Sequence, residues 1–228
     1  IRWEAGKEKR DIPDSSGRGD IFPAMKKQRL YLEAGILRDD ISNYAMVCGL
    51  RAWKKDGSLH QGMEGFFQEG DMAQVPLAVI AGWGRVACPG GRIFIVENPS
   101  VYAMFCGKWR GKRACMCMNG QPRLSALLLL DLLAQAGITV YYAGDFDPEG
   151  LLIAWKLKRY YGGSFRYWQM TAENYEESKS QERISDKRLK MLSHISDPGL
   201  EEILLAMKRD KVAGYQETIW KKYCGGEE

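Results

Sequence analysis

The chain has 228 residues, of which 45% are hydrophobic and 27% are charged, and its formal net charge is +4 at pH 7. This composition excludes wholesale disorder and is ordinary for a globular α/β domain with an appended segment. The charge permits a polyanionic partner without requiring one, because a nucleic-acid footprint depends on where the charge lies. The longest apolar run, 124–136, is interrupted by polar residues and is too short to span a bilayer, so we expect no membrane partner.

The six cysteines and two histidines argue against a zinc site, because no two cysteines have C-x-x-C spacing. Cys115 and Cys117 lie two apart in an apolar run, which predicts a buried pair on one face of a strand. Free thiols and the absence of a signal peptide predict a cytoplasmic protein. The chain begins with Ile1, so we expect it to be part of a longer protein whose upstream residues contribute to function.

The N-terminal region has the patterns of a linker followed by helix. Residues 6–20 are polar and rich in glycine and serine, as in a flexible lead. Residues 21–35 have helical spacing of apolar positions. The pair Asp39-Asp40 precedes the apolar stretch 44–50, and we interpret the pair as helix capping in preference to a ligand site.

From residue 92 onward the chain alternates between strand and helix patterns. Three helical stretches, each introduced by a proline, separate four short strand-like runs. The strands are predicted at 92–97, 114–118, 138–143 and 165–170. This order predicts an α/β fold with a four-stranded parallel sheet and helices on both faces. Residues 173–228 are highly charged and helical in pattern, so we expect a helical extension beside the sheet.

Three carboxylates follow two of the predicted strands. Glu97 ends the first strand, and Asp145 and Asp147 follow the third. In the common doubly-wound order these strands are neighbours, so the carboxylates are expected to converge at the carboxyl edge of the sheet. A cation relieves the repulsion between clustered carboxylates, and hard oxygen ligands with few histidines favour Mg²⁺ or Mn²⁺. One aspartate after a strand is commonly a turn residue, but this combination is rarer by chance.

Two further groups of residues are candidates for nucleic-acid contacts. Asn119 and Gly120 follow the second strand on the same rim as the carboxylates, and Arg123 lies at the start of the next helix. Gly120 could bring backbone N–H groups close to a phosphate, although an ordinary turn explains these residues equally well. The basic loop 108–113 precedes a strand and belongs to the opposite rim, which favours a solvated face or a distal contact over catalysis.

Two motifs carry a family resemblance. The segment GDFDPEGLLIA, residues 144–154, resembles the D-x-D-P-x-G motif of Toprim domains in topoisomerase VI A-subunits and meiotic Spo-type proteins, and also the D-P-D-R-E-G run of type I topoisomerases. The segment IVENPSVY, residues 95–102, is similar to the segment that holds the Toprim glutamate. Residues 118–150 closely resemble the Toprim nuclease subunit (JetD) of bacterial Wadjet anti-plasmid systems. The resemblance is strong over 90–172 and weaker on either side.

This resemblance implies a Toprim, Rossmann-like domain over residues 90–228, with residues 1–89 as a linker and helical segment that ends a larger upstream region. It implies that Glu97 is a metal ligand or general acid/base and that Asp145 and Asp147 are a metal-binding pair. Glu149 takes the position of an acidic residue in the type I topoisomerase run. Stabilisation of the first helical turn by the helix dipole explains Glu149 equally well.

The implied function is metal-dependent cleavage of DNA delivered by a condensin-like SMC motor complex in plasmid defence, and a homodimer is left open. The alternatives are a catalytically silent Toprim domain that binds DNA or assists assembly, and a receiver-like phosphoacceptor domain. This chain has no obvious lysine after a later strand, which argues against the receiver-like alternative. The chain offers no recognisable tyrosine nucleophile, which favours hydrolysis over a covalent protein–DNA intermediate. We expect metal to raise thermal stability, and alanine at any one of the three carboxylates to abolish binding while leaving the fold intact.

Overall fold

A computed structural model describes residues 21–37, 39 and 42–224 of the chain. The predicted linker at 6–20 and Asp40 lie outside the described residues. Within the described part, no helix is both long and apolar enough to cross a membrane. The core is a mixed six-stranded sheet with helices packed against it.

The first part of the chain forms one side of this sheet and a separate two-stranded ribbon. Its elements, in chain order, are α1 (Pro23–Glu33), β1 (Tyr44–Cys48), β2 (Arg51–Lys54), α2 (Gln61–Glu69), β3 (Met72–Pro76), α3 (Leu77–Ala81) and β4 (Trp83–Ala87). β1 and β3 pair antiparallel within the sheet, and β2 and β4 pair antiparallel as the ribbon. α1 forms where helical spacing predicted it.

The central part of the chain alternates strands and helices. Its elements are β5 (Arg92–Val96), α4 (Pro99–Trp109), β6 (Ala114–Cys117), α5 (Leu124–Gln135), β7 (Thr139–Ala143), α6 (Pro148–Tyr160) and β8 (Phe165–Tyr167). The strand order is β3-β1-β6-β5-β7-β8. β5 pairs in parallel with β6 and β7, and β7 pairs in parallel with β8. The predicted four-stranded parallel α/β core is confirmed, including the contact between its first and third strands.

Burial on both faces explains the composition of the parallel strands. β5 buries four consecutive residues from Ile93 to Val96, and every residue of β6 is buried. Near-continuous apolar runs of this kind are what a sheet covered by helices requires. Cys115 and Cys117 are both buried free thiols on β6, as the spacing predicted.

The stretch 44–50 differs from the expectation, because it forms β1 and not a helix. Ala45 and Val47 are buried at alternate positions, which is the period of a strand. β1 pairs antiparallel with the edge of β6 that the parallel core leaves open. Asp39 accepts a hydrogen bond of 3.2 Å from the backbone N–H of Ser42, so it closes a turn. The helix-capping interpretation of this aspartate is therefore wrong.

The C-terminal part packs beside the sheet and contains strands as well as helices. Its elements are α7 (Ala172–Ser178), β9 (Lys179–Arg183), α8 (Asp186–Leu189), α9 (Glu201–Asp210), β10 (Val212–Gly214) and α10 (Trp220–Cys224). β9 and β10 form an antiparallel pair that the helical expectation missed. Gly214 exchanges two backbone hydrogen bonds of 2.9 Å with Phe146. The extension is thereby tied to the segment that follows β7.

Candidate active site

The carboxyl ends of β5 and β7 bring two of the predicted acidic residues together. Glu97 directly follows β5, and Asp145 follows β7 by two residues. The Oε2 atom of Glu97 accepts a hydrogen bond of 3.4 Å from the backbone N–H of Asp145. The expected convergence of these two residues follows from the parallel pairing of their strands.

The D-x-D segment is held in an extended conformation by its central residue. Phe146 is fully buried, packs against Tyr175 with ring centroids 6.0 Å apart, and is bonded through its backbone to Gly214. Successive residues of an extended segment point to opposite sides. The buried Phe146 ring therefore leaves Asp145 and Asp147 on the other side of the segment.

A close backbone contact explains why the last position of the D-x-D-P-x-G motif, Gly150, is a glycine. A Cβ atom placed on Gly150 would lie 2.5 Å from the carbonyl oxygen of Asp145. Only a residue without a side chain lets the first turn of α6 approach this carbonyl group so closely. Gly150 therefore sets the position of α6 relative to Asp145.

Asp147 is fully engaged by neighbouring groups. It is the N-cap of α6, where its Oδ1 atom accepts a hydrogen bond of 2.7 Å from the backbone N–H of Gly150. Its Oδ2 atom accepts a hydrogen bond of 2.7 Å from Nη2 of Arg188, with which it forms an ion pair. Asp147 thus lies beside the acidic pair but is bonded to other partners.

Arg188 on α8 is a site residue that the sequence did not reveal. Its Nε atom donates to both oxygens of Glu149 at 3.0 Å, and its Nη2 atom donates to Glu149 Oε2 at 2.6 Å. Its Nη1 atom donates to Glu182 at 3.1 Å. The residue lies in a charged segment far along the chain, where nothing local distinguishes it from solvent-facing arginines. Glu149 is consequently bonded to this guanidinium.

Gln216 is a second residue that sequence reasoning missed. It is completely buried, and its Oε1 atom accepts hydrogen bonds of 3.3 Å from the backbone N–H groups of Glu97 and Asn98. Its own backbone N–H donates to Oδ1 of Asp145 at 2.9 Å. Gln216 therefore joins the end of β5 to Asp145. Its position depends on the C-terminal fold, so no local signal in the sequence marks it.

Burial and mutual repulsion alter the acidity of the pair. Burial, followed by the negative charge of Asp145, raises the pKa of Glu97 to about 7. Burial, helped by the charges of Glu217 and Asp147, raises the pKa of Asp145 to about 6, although the N–H of Gln216 opposes the change. Burial also raises the pKa of Asp147. Burial opposes ionisation of Glu149, but its hydrogen bonds with Arg188 lower its pKa below the ordinary value.

The donor chemistry of the pair fits a hard divalent cation. Glu97 Oε1 and Asp145 Oδ2 accept no hydrogen bond from the described residues, so each has an oxygen available for a ligand. Within that same part of the chain, no group of three or more acidic, histidine or cysteine side chains is already arranged to hold a metal ion. The structure thus brings together two of the predicted ligands, Glu97 and Asp145. The other two, Asp147 and Glu149, form ion pairs with Arg188.

Asn119 and Gly120 lie next to this acidic pair. The backbone N–H of Asn119 donates to the carbonyl oxygen of Glu97 at 3.1 Å, and the Asn119 side chain is exposed. Gly120 has a positive φ of 82°, and open space surrounds the position where a Cβ would lie. Both residues are on the predicted rim, beside the end of β5.

Arg123 is directed toward a different part of the rim. Its Nη1 atom donates to the carbonyl oxygen of Ser42, and its guanidinium lies over the ring of Tyr44 at 5.4 Å. The side chain is thus engaged at the start of β1. The basic loop 108–113 connects α4 to the amino end of β6, which is the opposite edge of the sheet.

Comparison with known protein families matches the larger part of the chain. A family model described as "Protein of unknown function C-terminus (DUF2399)" matches residues 73–224. The match includes the whole parallel core, all four acidic residues of the site, and both Arg188 and Gln216. No curated protein matches the sequence.

Proposed function

This chain belongs to the DUF2399 family, and from that premise we propose that it is a divalent-metal-dependent Toprim nuclease subunit, similar to JetD, that cleaves DNA for a Wadjet-type plasmid-defence system. A condensin-like SMC complex would present the DNA. The observation that carries the proposal is the Glu97–Asp145 pair, in which two half-buried acidic residues contact each other through the Asp145 backbone N–H at the carboxyl edge of a parallel sheet. The resemblance of residues 95–102 and 144–154 to Toprim motifs supports the assignment of the chain as a Toprim nuclease subunit.

Glu97 and Asp145 would hold the cation, and Asp147 would join them if it left Arg188. A bound divalent cation supplies Lewis-acid stabilisation of charge on a phosphate and lowers the pKa of a coordinated water. Burial and the neighbouring Asp145 raise the pKa of Glu97 to about 7, so Glu97 exchanges a proton near neutral pH. Such a group suits general acid/base catalysis as well as metal binding.

The surroundings of the pair support a DNA phosphate as the ligand of the site, with partners delivering the DNA. Gly120 is half-buried near Glu97 and has open space where a Cβ would lie, so a phosphate could approach its backbone. The net charge of +4 is small for a protein that binds DNA tightly without assistance, because non-specific affinity rises with the number of phosphates neutralised. We therefore expect the isolated chain to be nearly inactive.

One observation favours a second candidate, a catalytically silent subunit that binds DNA or supports assembly. Arg188 forms ion pairs with Asp147 and Glu149 and donates to three of their four carboxylate oxygens, and the N–H of Gly150 donates to the fourth. An acidic cluster that is satisfied by an internal guanidinium requires no metal ion for its stability. The two candidates differ in whether Glu97 and Asp145 are needed for DNA cleavage.

The test is plasmid restriction by the complete system with E97A or D145A, together with co-purification of the chain and its SMC-type partners. We expect each substitution to reduce restriction at least about a hundredfold while assembly is unchanged, since each removes a charged group from the reacting centre. E69A, at the exposed end of α2, is the matched control and should restrict normally. Full plasmid restriction by both E97A and D145A would contradict the nuclease proposal and support the catalytically silent subunit.

A further inference from the structure

We propose that Arg188 is a positioning residue that competes with the divalent cation for Asp147. The cation is first bound by Glu97 and Asp145, and Asp147 becomes a ligand only when the guanidinium is displaced. This inference rests on the proposed metal-dependent function. It adds to that function a division of the acidic residues into two pairs. Glu97 and Asp145 are available to a cation, whereas Asp147 and Glu149 form ion pairs with Arg188.

The hydrogen bonds of Arg188 place a positive charge where a cation would have to reach Asp147. Nη2 lies 2.7 Å from Asp147 Oδ2 and 2.6 Å from Glu149 Oε2, and Nε lies 3.0 Å from both oxygens of Glu149. Asp147 Oδ1 is bonded to the N–H of Gly150. Every oxygen of these two carboxylates already accepts a hydrogen bond, and two cations beside one carboxylate repel each other.

The other pair contrasts with this arrangement. Among the described residues, the side-chain carboxylates of Glu97 and Asp145 each accept one hydrogen bond, and both bonds come from backbone N–H groups. Each carboxylate retains an oxygen that accepts no bond from the described residues. The first position at which a cation can bind without breaking an ion pair is therefore between Glu97 and Asp145.

Arg188 is held in place by the C-terminal extension. Its backbone N–H is bonded to the hydroxyl oxygen of Ser185, which caps α8. Its Nη1 atom pairs with Glu182 on β9, and Glu182 in turn accepts a hydrogen bond from the hydroxyl group of Tyr215. The Arg188 side chain is only 29% exposed, whereas that of Arg209, which pairs with Glu176 and Asp210, is 65% exposed. Restricted exposure and three carboxylate partners distinguish the Arg188 side chain from a solvated surface arginine.

Release of Arg188 would also change what the site can bind. Displacement from Asp147 would leave the Nη2 group of Arg188 with a donor available to an oxygen of a phosphodiester. Binding of the cation would thus neutralise the acidic groups and supply a phosphate-binding group in one step. The order of binding that follows is metal before DNA.

The experiment is calorimetric titration of the full chain with Mn²⁺, using wild type, R188Q, D147N and the double variant R188Q/D147N. R209Q is the matched control, because Arg209 also pairs with two carboxylates but lies outside the site. We expect R188Q to bind Mn²⁺ roughly tenfold more tightly than wild type, which corresponds to about 1.4 kcal/mol. R209Q should bind as wild type does.

The double variant separates competition for Asp147 from a general effect of charge. If Arg188 acts through Asp147, the gain from R188Q disappears in the D147N background, as a double-mutant cycle would record. An unchanged or weaker affinity in R188Q overturns the inference, as does a gain that persists in full with D147N. Absence of Mn²⁺ binding in wild type and R188Q alike overturns the proposed function as well. R188K, which keeps the charge and loses the planar fork, replaces R188Q if the latter does not fold, with a smaller gain expected.

Discussion

Oε2 of Glu97 lies 3.4 Å from the backbone nitrogen of Asp145, although the two residues are 48 positions apart in the chain. The contact exists because β5 and β7 are adjacent parallel strands whose carboxyl ends meet at one edge of the sheet. Neither carboxylate has a basic side chain as its hydrogen-bond partner within the described residues. The pair therefore carries its charge repulsion without internal neutralisation, in contrast to Asp147 and Glu149.

The stability of the metal-free protein should fall as pH rises through about 6 to 7. Burial, with repulsion between the carboxylates, raises the pKa of Glu97 to about 7 and that of Asp145 to about 6. The native state therefore holds more protons than the unfolded state between roughly pH 4 and 7, so stability falls across this interval and levels off once both groups have ionised. Urea unfolding in a chelator at pH 5 and pH 8 measures the difference, with a contribution on the order of 1–3 kcal/mol from the pair.

E97Q tests the origin of this pH dependence, because glutamine does not titrate. We expect a smaller loss of stability between pH 5 and pH 8 in E97Q than in wild type. E69Q removes a carboxylate from an exposed position and should retain the wild-type slope. Equal slopes in all three proteins would show that Glu97 is ionised at pH 5.

Q216A should weaken both the fold and the acidic pair. The substitution leaves the buried N–H groups of Glu97 and Asn98 without their acceptor, which costs about 1–3 kcal/mol. The backbone bond from residue 216 to Asp145 loses its fixed position, so Mn²⁺ affinity should fall as well. Chemical denaturation and calorimetry measure the two effects. Q74A on β3 alters an exposed glutamine and should change neither quantity.

D147A should destabilise the protein, in contrast to the expectation from sequence that alanine leaves the fold intact. Asp147 caps α6, and loss of such a cap costs about 1 kcal/mol. D147N retains an oxygen that can accept the N–H of Gly150, so it should be the more stable of the two variants. T171A removes the cap of α7 and serves as a control for capping away from the site. Equal stabilities of D147A and D147N would contradict the capping role.

G150A should destabilise the protein by about 1–3 kcal/mol, because the added methyl group would meet the Asp145 carbonyl oxygen at 2.5 Å. G65A, in α2, adds the same methyl group where nothing lies within 4 Å. Alanine in a helix is favoured over glycine, so G65A should be neutral or stabilising by up to about 1 kcal/mol. Thermal unfolding of the two variants provides the comparison. Similar effects of both substitutions would contradict the explanation that the Asp145 carbonyl oxygen excludes a side chain at position 150.

Patterns that are local in the chain predicted the parallel core correctly. Each strand of the core is a short apolar run, and each helix is introduced by a proline, so the order of elements and the adjacency of the first and third strands could be inferred. The stretch that forms β1 is equally apolar, but its partners β3 and β6 are set by tertiary pairing. The same limit explains Arg188 and Gln216, whose importance arises from contacts with residues that are distant in sequence.

The backbone bonds between Phe146 and Gly214 impose a temporal order on the site. A ribosome releases residue 146 well before residue 214, and domains form as their parts emerge. Until β10 and Gln216 have left the ribosome, the D-x-D segment lacks its backbone partner and Asp145 lacks the N–H of residue 216. In a nascent chain, Asp145 and Asp147 are therefore synthesised about 70 residues before Gly214 and Gln216, the residues that fix the D-x-D segment and bond to Asp145.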